Sequence, residues 1–156
     1  MRIGFGYDSH RFVRGRRLIL GGIEIPSEKG LLGHSDGDAL IHAIVDSIIG
    51  ALGLGDIGKH FPDSEERWRN ASSISFLRYA LELASEKGFK VSWIDATVLA
   101  EAPRIAPHVD AMKEKLSEAG VLADILNIKA KTNEGMGFIG RGEGIAVYAV
   151  CILREK

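Results

Sequence analysis

Apolar positions recur along this chain at two different periods, and the switches between them mark its elements. Met1 to Tyr7 alternates as a strand does. Arg17 to Pro26 carries two short apolar runs around Gly21 and Gly22 and predicts a hairpin turning at the paired glycines. After a glycine-bearing loop from Gly30 to Gly37, the spacing of Ile41, Ile44, Val45, Ile48 and Leu52 predicts a helix, capped by Asp38 or a neighbour. The stretch Gly53 to Asp63 is punctuated by glycine and proline and reads as a loop too polar for an element interior. A second helix is expected from Ser72 or Ser73 to about Lys87, stopped by Gly88, and a strand from Val91 to Leu99. Pro103 and Pro107 break the chain before a helix from about His108 to Ala119, ended by Gly120. Ile125 to Ala130 and Ile145 to Leu153 supply the last strands. Strands and helices mix without strict alternation, which favours an α+β fold, a mixed β-sheet with helices packed on one face, over a doubly wound one.

Composition narrows this picture. The chain has 156 residues, 46% of them hydrophobic, and a formal net charge of −1, as expected for one catalytic domain over residues 1–156 with a core of its own. Near-neutral charge argues against a nucleic-acid partner, whose phosphates call for clustered lysine and arginine. Arg11, Arg14, Arg16 and Arg17 form a small cluster, read as a solvated loop. With no basic leader followed by an apolar stretch and no run of ~18 apolar residues, no membrane partner is expected, and the cytoplasm of a bacterium or an organelle matrix such as a plastid is the expected location. The single cysteine, Cys151, falls in the last apolar run and is expected to be a buried strand residue.

The chemistry-bearing residues crowd into one stretch. Asp8-Ser9-His10 closes the first strand, and His34-Ser35-Asp36-Gly37-Asp38 precedes His42, so three of the five histidines lie close in sequence. On a strand, Asp8 and His10 project from one face and can converge on one cation, with His42 as a third ligand. Such a set suits Zn²⁺ or a similar divalent ion with an open fourth position, the catalytic kind of site. Asp46 lies one helical turn from His42 and could hydrogen-bond its second nitrogen. Gly140 to Gly144, taken alone, reads as a tight hairpin, because an apolar strand and not a helix follows it. His60 and His108 read as loop and helix-start residues without a role in chemistry.

Asp8-Ser9-His10, Gly30 to Asp38, His42, Gly55-Asp56-Ile57-Gly58, Phe61-Pro62-Asp63 and Phe138 to Gly144 occur in this order across nearly the whole chain. Together they resemble the 2-C-methyl-D-erythritol 2,4-cyclodiphosphate synthase family. The resemblance implies an enzyme of non-mevalonate isoprenoid biosynthesis that expels CMP from a cytidine diphosphate ester while the substrate's own 2-phosphate closes a cyclic diphosphate. It also implies that Asp8, His10 and His42 bind Zn²⁺, that Glu134 takes Mg²⁺ or Mn²⁺ bridging the diphosphate, and that His34 and Thr132 stabilise the transition state. Further substrate contacts are implied at Ser9, Ser35, Asp56, Ile57, Gly58, Phe61, Pro62 and Asp63, with Asp56 on the methylerythritol hydroxyls.

The implied cytosine loop is Ala100, Glu101, Ala102, Pro103, Arg104, Ile105 and Ala106. The phosphate segment Lys131-Thr132-Asn133-Glu134 departs from a commoner Thr-Thr-x-Glu form while keeping the threonine and glutamate. The resemblance further implies a homotrimer with the sheets around its threefold axis and active sites between subunits. Phe138 and Arg141 would face an axial cavity able to hold an isoprenoid diphosphate. Two other classes stay open on the residues: a zinc-dependent nucleotide phosphohydrolase using water as nucleophile, and a metal-stabilised trimer that only binds isoprenoid diphosphates.

Overall fold

The first strand, β1, runs over Arg2–Arg14 in the computed structural model, which describes residues 1–156, and so continues well past Tyr7. Its apolar alternation stops at Asp8 because the polar residues that follow serve the site, yet the ladder continues. β1 pairs antiparallel with β7 (Gly144–Glu155) from Arg2 opposite Leu153 to Arg11 opposite Gly144. Beyond that, Phe12 to Arg14 pair with β4 (Lys29–Leu31), so a short strand occupies the start of the segment expected to be a loop. β7 also pairs antiparallel with β5 (Phe89–Leu99), and β5 pairs parallel with β6 (Leu126–Lys131). The resulting five-stranded mixed sheet has the order β4-β1-β7-β5-β6. A separate hairpin of β2 (Leu18–Leu20) and β3 (Ile23–Ile25) turns at Gly21 and Gly22, both with positive φ, as the glycine pair predicts.

The helix expected after the glycine loop is α1, Ala39–Ala51, and Asp38 is its cap. The Asp38 carboxylate accepts from Ile41 N at 3.0 Å, and also from Gly21 N at 3.0 Å and Gly22 N at 2.7 Å, so one buried side chain ties the helix start to the hairpin turn. Burial pushes its pKa up, with the charge of Asp36, against the pull of these bonds. α1 lies directly on β1 because Gly4 and Gly6 offer no side chain there: a Cβ would fall 1.8 Å from the Ser47 carbonyl oxygen at Gly4 and 2.0 Å from that of Ala43 at Gly6. α3 (Ser73–Glu86) and α4 (Val109–Glu118) complete the helical side, and one continuous core joins them to the sheet. Cys151 is buried in β7, as expected, its thiol donating to the Ser47 carbonyl oxygen at 3.2 Å, and burial raises its pKa.

Two loops hold structure that the sequence pattern hides. α2 (Ile57–His60) is a single turn capped by Asp56, which accepts from Lys59 N at 2.9 Å. The segment read as a tight hairpin at Gly140 is instead the end of α5 (Gly137–Gly140), after which a turn delivers the chain into β7. A hairpin would need a strand before Gly140, but Gly140 N and Arg141 N donate to the Met136 and Gly137 carbonyls, which winds the segment into a helical turn. The sheet face away from the helices carries Ile3, Phe5, Tyr7, Trp93, Tyr148 and Val150, all substantially exposed.

Candidate metal centre and active site

Alternation along β1 sets the site. Gly4 and Gly6 face α1, so Asp8 and His10, in the same phase, do too, while Ile3, Phe5, Tyr7 and Ser9 face away. His42, in the first turn of α1, meets the pair. Asp8 Oδ2 lies 2.8 Å from His10 Nε2 and 2.9 Å from His42 Nδ1, and the two nitrogens are 3.2 Å apart. Three donors on a tetrahedral cation with bonds of ~2.0–2.1 Å stand ~3.3 Å from one another, so the group fits such an ion with one position left over. Asp8, His10 and His42 could therefore hold a metal ion. Burial works to raise the Asp8 pKa, but hydrogen bonds and charge from His10 and His42 outweigh it and hold the carboxyl at about 2. For His10, burial lowers and Asp8 together with the Leu32 carbonyl raise, with a net upward shift.

The remaining ring nitrogens are tied back into the protein. His10 Nδ1 stands 2.6 Å from the Leu32 carbonyl oxygen, which can only accept, so Nδ1 donates there and Nε2 is the nitrogen that faces Asp8. His42 Nε2 contacts Ser73 Oγ at 2.8 Å and Ser35 Oγ at 3.1 Å. Asp46 is not its partner, contrary to the one-turn spacing: its carboxylate accepts from Ile57 N at 3.1 Å and holds the α2 loop instead. Ser73, the first residue of α3, was visible in sequence only as a helix start. Arg11, Arg14 and Arg17 of the arginine cluster are exposed as expected, but Arg11 and Arg14 belong to β1 and not to a loop, and Arg16 is half-buried and donates to the Gly33 and Ser35 carbonyls, both at 2.8 Å.

A cleft of about 390 Å³ opens over the three donors. His34, Ser35, Ile57, Gly58, Phe61 and Asp63 line it, six of the residues singled out from sequence. His34 Nε2 donates to the Glu65 carbonyl at 3.0 Å and leaves Nδ1 for a ligand. Asp56 caps the α2 turn that forms one wall, and Pro62 follows Phe61. Sequence reasoning missed Trp68 and Phe76, which pack edge-on and stacked against Phe61 at centroid distances of 5.1 and 4.1 Å and make the far wall apolar. Their signal was only an aromatic at each of three places around a loop and a helix.

The other implied residues gather elsewhere. Glu101 Oε1 accepts from Asn133 N at 2.7 Å and Gly135 N at 3.3 Å, and Ala100 N donates to the Lys131 carbonyl, which locks the 100–106 loop to the 131–134 segment. Ala100 and Ile105 are buried in the core, so a ligand at this loop would meet their main chain and not their side chains. Thr132 Oγ1 donates to Glu134 Oε1 at 3.0 Å, both residues exposed, with Glu134 at positive φ. Ser9, Ala146, Leu99 and Lys131 stand in one row across the sheet. Three strand spacings place Lys131 ~14 Å from Ser9, so one chain does not bring Thr132 and Glu134 onto Asp8, His10 and His42.

Ser9 turns away from the metal group and, with Arg11, Phe138 and Arg141, borders a second cavity of about 670 Å³. Arg141 Nε donates to Glu143 Oε1 there at 2.6 Å, and that bond raises the guanidinium pKa. His60 keeps a structural role, bridging the Tyr79 hydroxyl and the Leu54 carbonyl, each at 3.2 Å. His108 ends a short 3₁₀ turn before α4. No helix is long and apolar enough to cross a membrane.

An open-sided Asp-His-His group that could hold a metal ion lies between a mixed sheet and its covering helix, beneath an apolar-walled cleft, the arrangement that suits an enzyme's site and not a closed structural one. The model of the YgbB family matches residues 1–154, and the chain belongs to that family. A relative from Geobacter sulfurreducens, 2-C-methyl-D-erythritol 2,4-cyclodiphosphate synthase, is 56% identical over 158 residues, covering 100% of each chain. The protein of the same name from Clostridioides difficile is 51% identical, covering 98% of this chain and 96% of its own. A solved structure of 2C-methyl-D-erythritol-2,4-cyclodiphosphate synthase in a CDP-bound form matches with a TM-score of 0.89 at 41% identity, covering 98% of this chain and 100% of that one. The bifunctional IspDF from Campylobacter jejuni matches with a TM-score of 0.95 at 40% identity; this chain spans 99% of its own length but 42% of that protein.

Proposed function

We propose that this chain converts 4-diphosphocytidyl-2-C-methyl-D-erythritol 2-phosphate to 2-C-methyl-D-erythritol 2,4-cyclodiphosphate and CMP, with residues 1–156 acting as one catalytic domain. The observation that carries this reading is end-to-end identity of 56% to a relative of that name, joined to an open Asp8-His10-His42 group under the cleft. An oxygen of the substrate's 2-phosphate forms a bond to the β-phosphorus. The bond from that phosphorus to the bridging oxygen breaks, and its electron pair leaves on CMP. The nucleophile belongs to the substrate, so the protein's work is positioning and electrostatics.

Asp8, His10 and His42 would hold Zn²⁺ and Glu134 would hold Mg²⁺ or Mn²⁺, and cations there supply neutralisation of the phosphate charges that otherwise repel each other. His34 Nδ1 and the Thr132 hydroxyl contact the phosphates; Asp56, which caps the α2 turn, takes the methylerythritol hydroxyls. Phe61, Trp68 and Phe76 exclude water from the reacting atoms. The 100–106 main chain reads the cytosine, and the CDP-bound form of a related structure supports a cytidine nucleotide as the ligand.

Two observations support a homotrimer in which neighbouring subunits share each site: the ~14 Å separation of the metal group from Thr132 across the sheet, and the uncovered apolar sheet face. The cavity at Phe138, Arg11 and Arg141 pairs an aromatic wall with guanidinium charge and suits an isoprenoid diphosphate on the trimer axis. Phosphorus NMR of the reaction with both metals present tests the chemistry. Equal amounts of ring diphosphate and CMP are expected. A linear phosphate product would make the chain a phosphohydrolase, and binding without turnover under every metal condition would make it a sensor; either overturns the reading.

A further inference from the structure

The geometry points to Ser73 and Asp36 as positioning residues that fix a proton on His42 Nε2 and so leave Nδ1 as the nitrogen offered to the metal; this rests on the reading of Asp8, His10 and His42 as metal ligands. Ser73 is fully buried, its Oγ 2.8 Å from His42 Nε2. Its hydroxyl donates to Asp36 Oδ1 at 2.5 Å, and its amide N donates to Asp36 Oδ2 at 2.8 Å. Asp38 N adds a third bond to the same carboxylate at 3.1 Å, which pins it in place.

The directions of these bonds decide the tautomer. A hydroxyl has one proton, and an ionised carboxylate can only accept, so the Ser73 proton is committed to Asp36. Its oxygen then faces Nε2 with lone pairs alone, and the 2.8 Å contact requires a proton on Nε2. Because a neutral imidazole keeps one N–H and Ser73 holds it at Nε2, the nitrogen that gives up its proton to an arriving cation is Nδ1, the atom 2.9 Å from Asp8 Oδ2 and 3.2 Å from His10 Nε2. Ser35 Oγ, 3.1 Å from Nε2, can accept from the same proton but has no carboxylate behind it to fix its own. The two imidazoles are thus set by different means: a carbonyl acts directly on His10, whereas on His42 a carboxylate acts through a serine.

Asp36→Asn separates this role from simple packing. In the orientation that keeps the Ser73 amide bonded, the new NH₂ donates to Ser73 Oγ, and the hydroxyl proton turns toward His42 Nε2. The ring must then carry its proton on Nδ1, the wrong atom for a ligand. Zinc affinity, measured by competition with a chromophoric chelator at neutral pH, should fall about 10–100-fold in Ser73→Ala and Asp36→Asn and return to within about threefold of the unaltered protein in Ser73→Thr. Long-range proton–nitrogen NMR on zinc-free protein should find a proton on His42 Nε2 in the unaltered chain and none there in Asp36→Asn, with circular dichroism unchanged. Unaltered zinc affinity in folded Ser73→Ala and Asp36→Asn, or a His42 Nε2 without a proton in the unaltered chain, would overturn the assignment. The NMR result on zinc-free protein stands whether or not the unaltered protein binds zinc, so a failure of the metal reading is told apart from a failure of the relay.

Discussion

A methyl group at Gly6 would sit 2.0 Å from the Ala43 carbonyl oxygen, and that oxygen belongs to the backbone of α1, not to a side chain that can swing aside. The helix would have to lift, and His42 lies next to Ala43 on it. Gly6→Ala should therefore cost about 3 kcal/mol of unfolding free energy by urea titration and weaken zinc binding in the same protein. An unchanged midpoint would mean that α1 tolerates displacement and that its closeness to β1 is not what sets the site. Glu134 poses the opposite case, an exposed carboxylate at positive φ whose side-chain contact is the Thr132 hydroxyl. A lone carboxylate binds an ion mainly through the substrate's phosphates, so Glu134→Gln should leave zinc content intact and raise the Mg²⁺ concentration needed for half-maximal rate by about 10-fold. An unmoved metal-dependence curve would remove Glu134 from that role.

At the scale of elements, the segment from Gly33 to Asp36 is held from behind by Arg16, whose fork spans the Gly33 and Ser35 carbonyls. His34 lies between those two anchors. An ammonium cannot reproduce a planar two-pronged contact, so Arg16→Lys should lower kcat about 10–100-fold with zinc content unchanged, as steady-state kinetics and metal analysis would reveal. Full activity in that variant would show that the loop holds its shape without the fork. The helices α1 and α3 were legible in sequence because burying one face against the sheet imposes a 3.6-residue period on Ile41, Ile44, Val45 and Ile48. The length of β1 was not, since its second half swaps apolar residues for Asp8, His10 and their neighbours while keeping the ladder. The single turns α2 and α5 bury too few residues to print a period at all. The convergence of Asp8 and His10 was legible because a strand places residues two apart on one face. Ser73, Trp68 and Phe76 were not, because they reach the site only through the packing of α3 and its preceding loop against α1, which no local pattern encodes.

For the whole molecule, the uncovered sheet face and the split site call for one arrangement. Ile3 is 66% and Phe5 60% exposed on β1, beside the central strand β7, and Tyr7 packs on Tyr148 of β7 at 5.1 Å between ring centroids, so a continuous apolar surface faces outward from the sheet. Such a patch is characteristic of a buried interface. The metal group lies on one side of that face's strands and Thr132 past the end of edge strand β6, so a closed ring of copies can bring the first of one subunit beside the second of the next. Two inactive variants then complement each other. His42→Ala spoils one surface and Thr132→Ala the other, and a mixed trimer contains a site built from the intact surface of each. Unfolding the two together and refolding them at equal ratio should restore roughly a quarter of the unaltered rate, the random-mixing share of sites with both surfaces intact. Each variant refolded alone should stay inactive, and sedimentation should give a trimer throughout. An active monomer, or verified mixed trimers with no recovered turnover, would refute shared sites and require each chain to close its own cleft around the nucleotide.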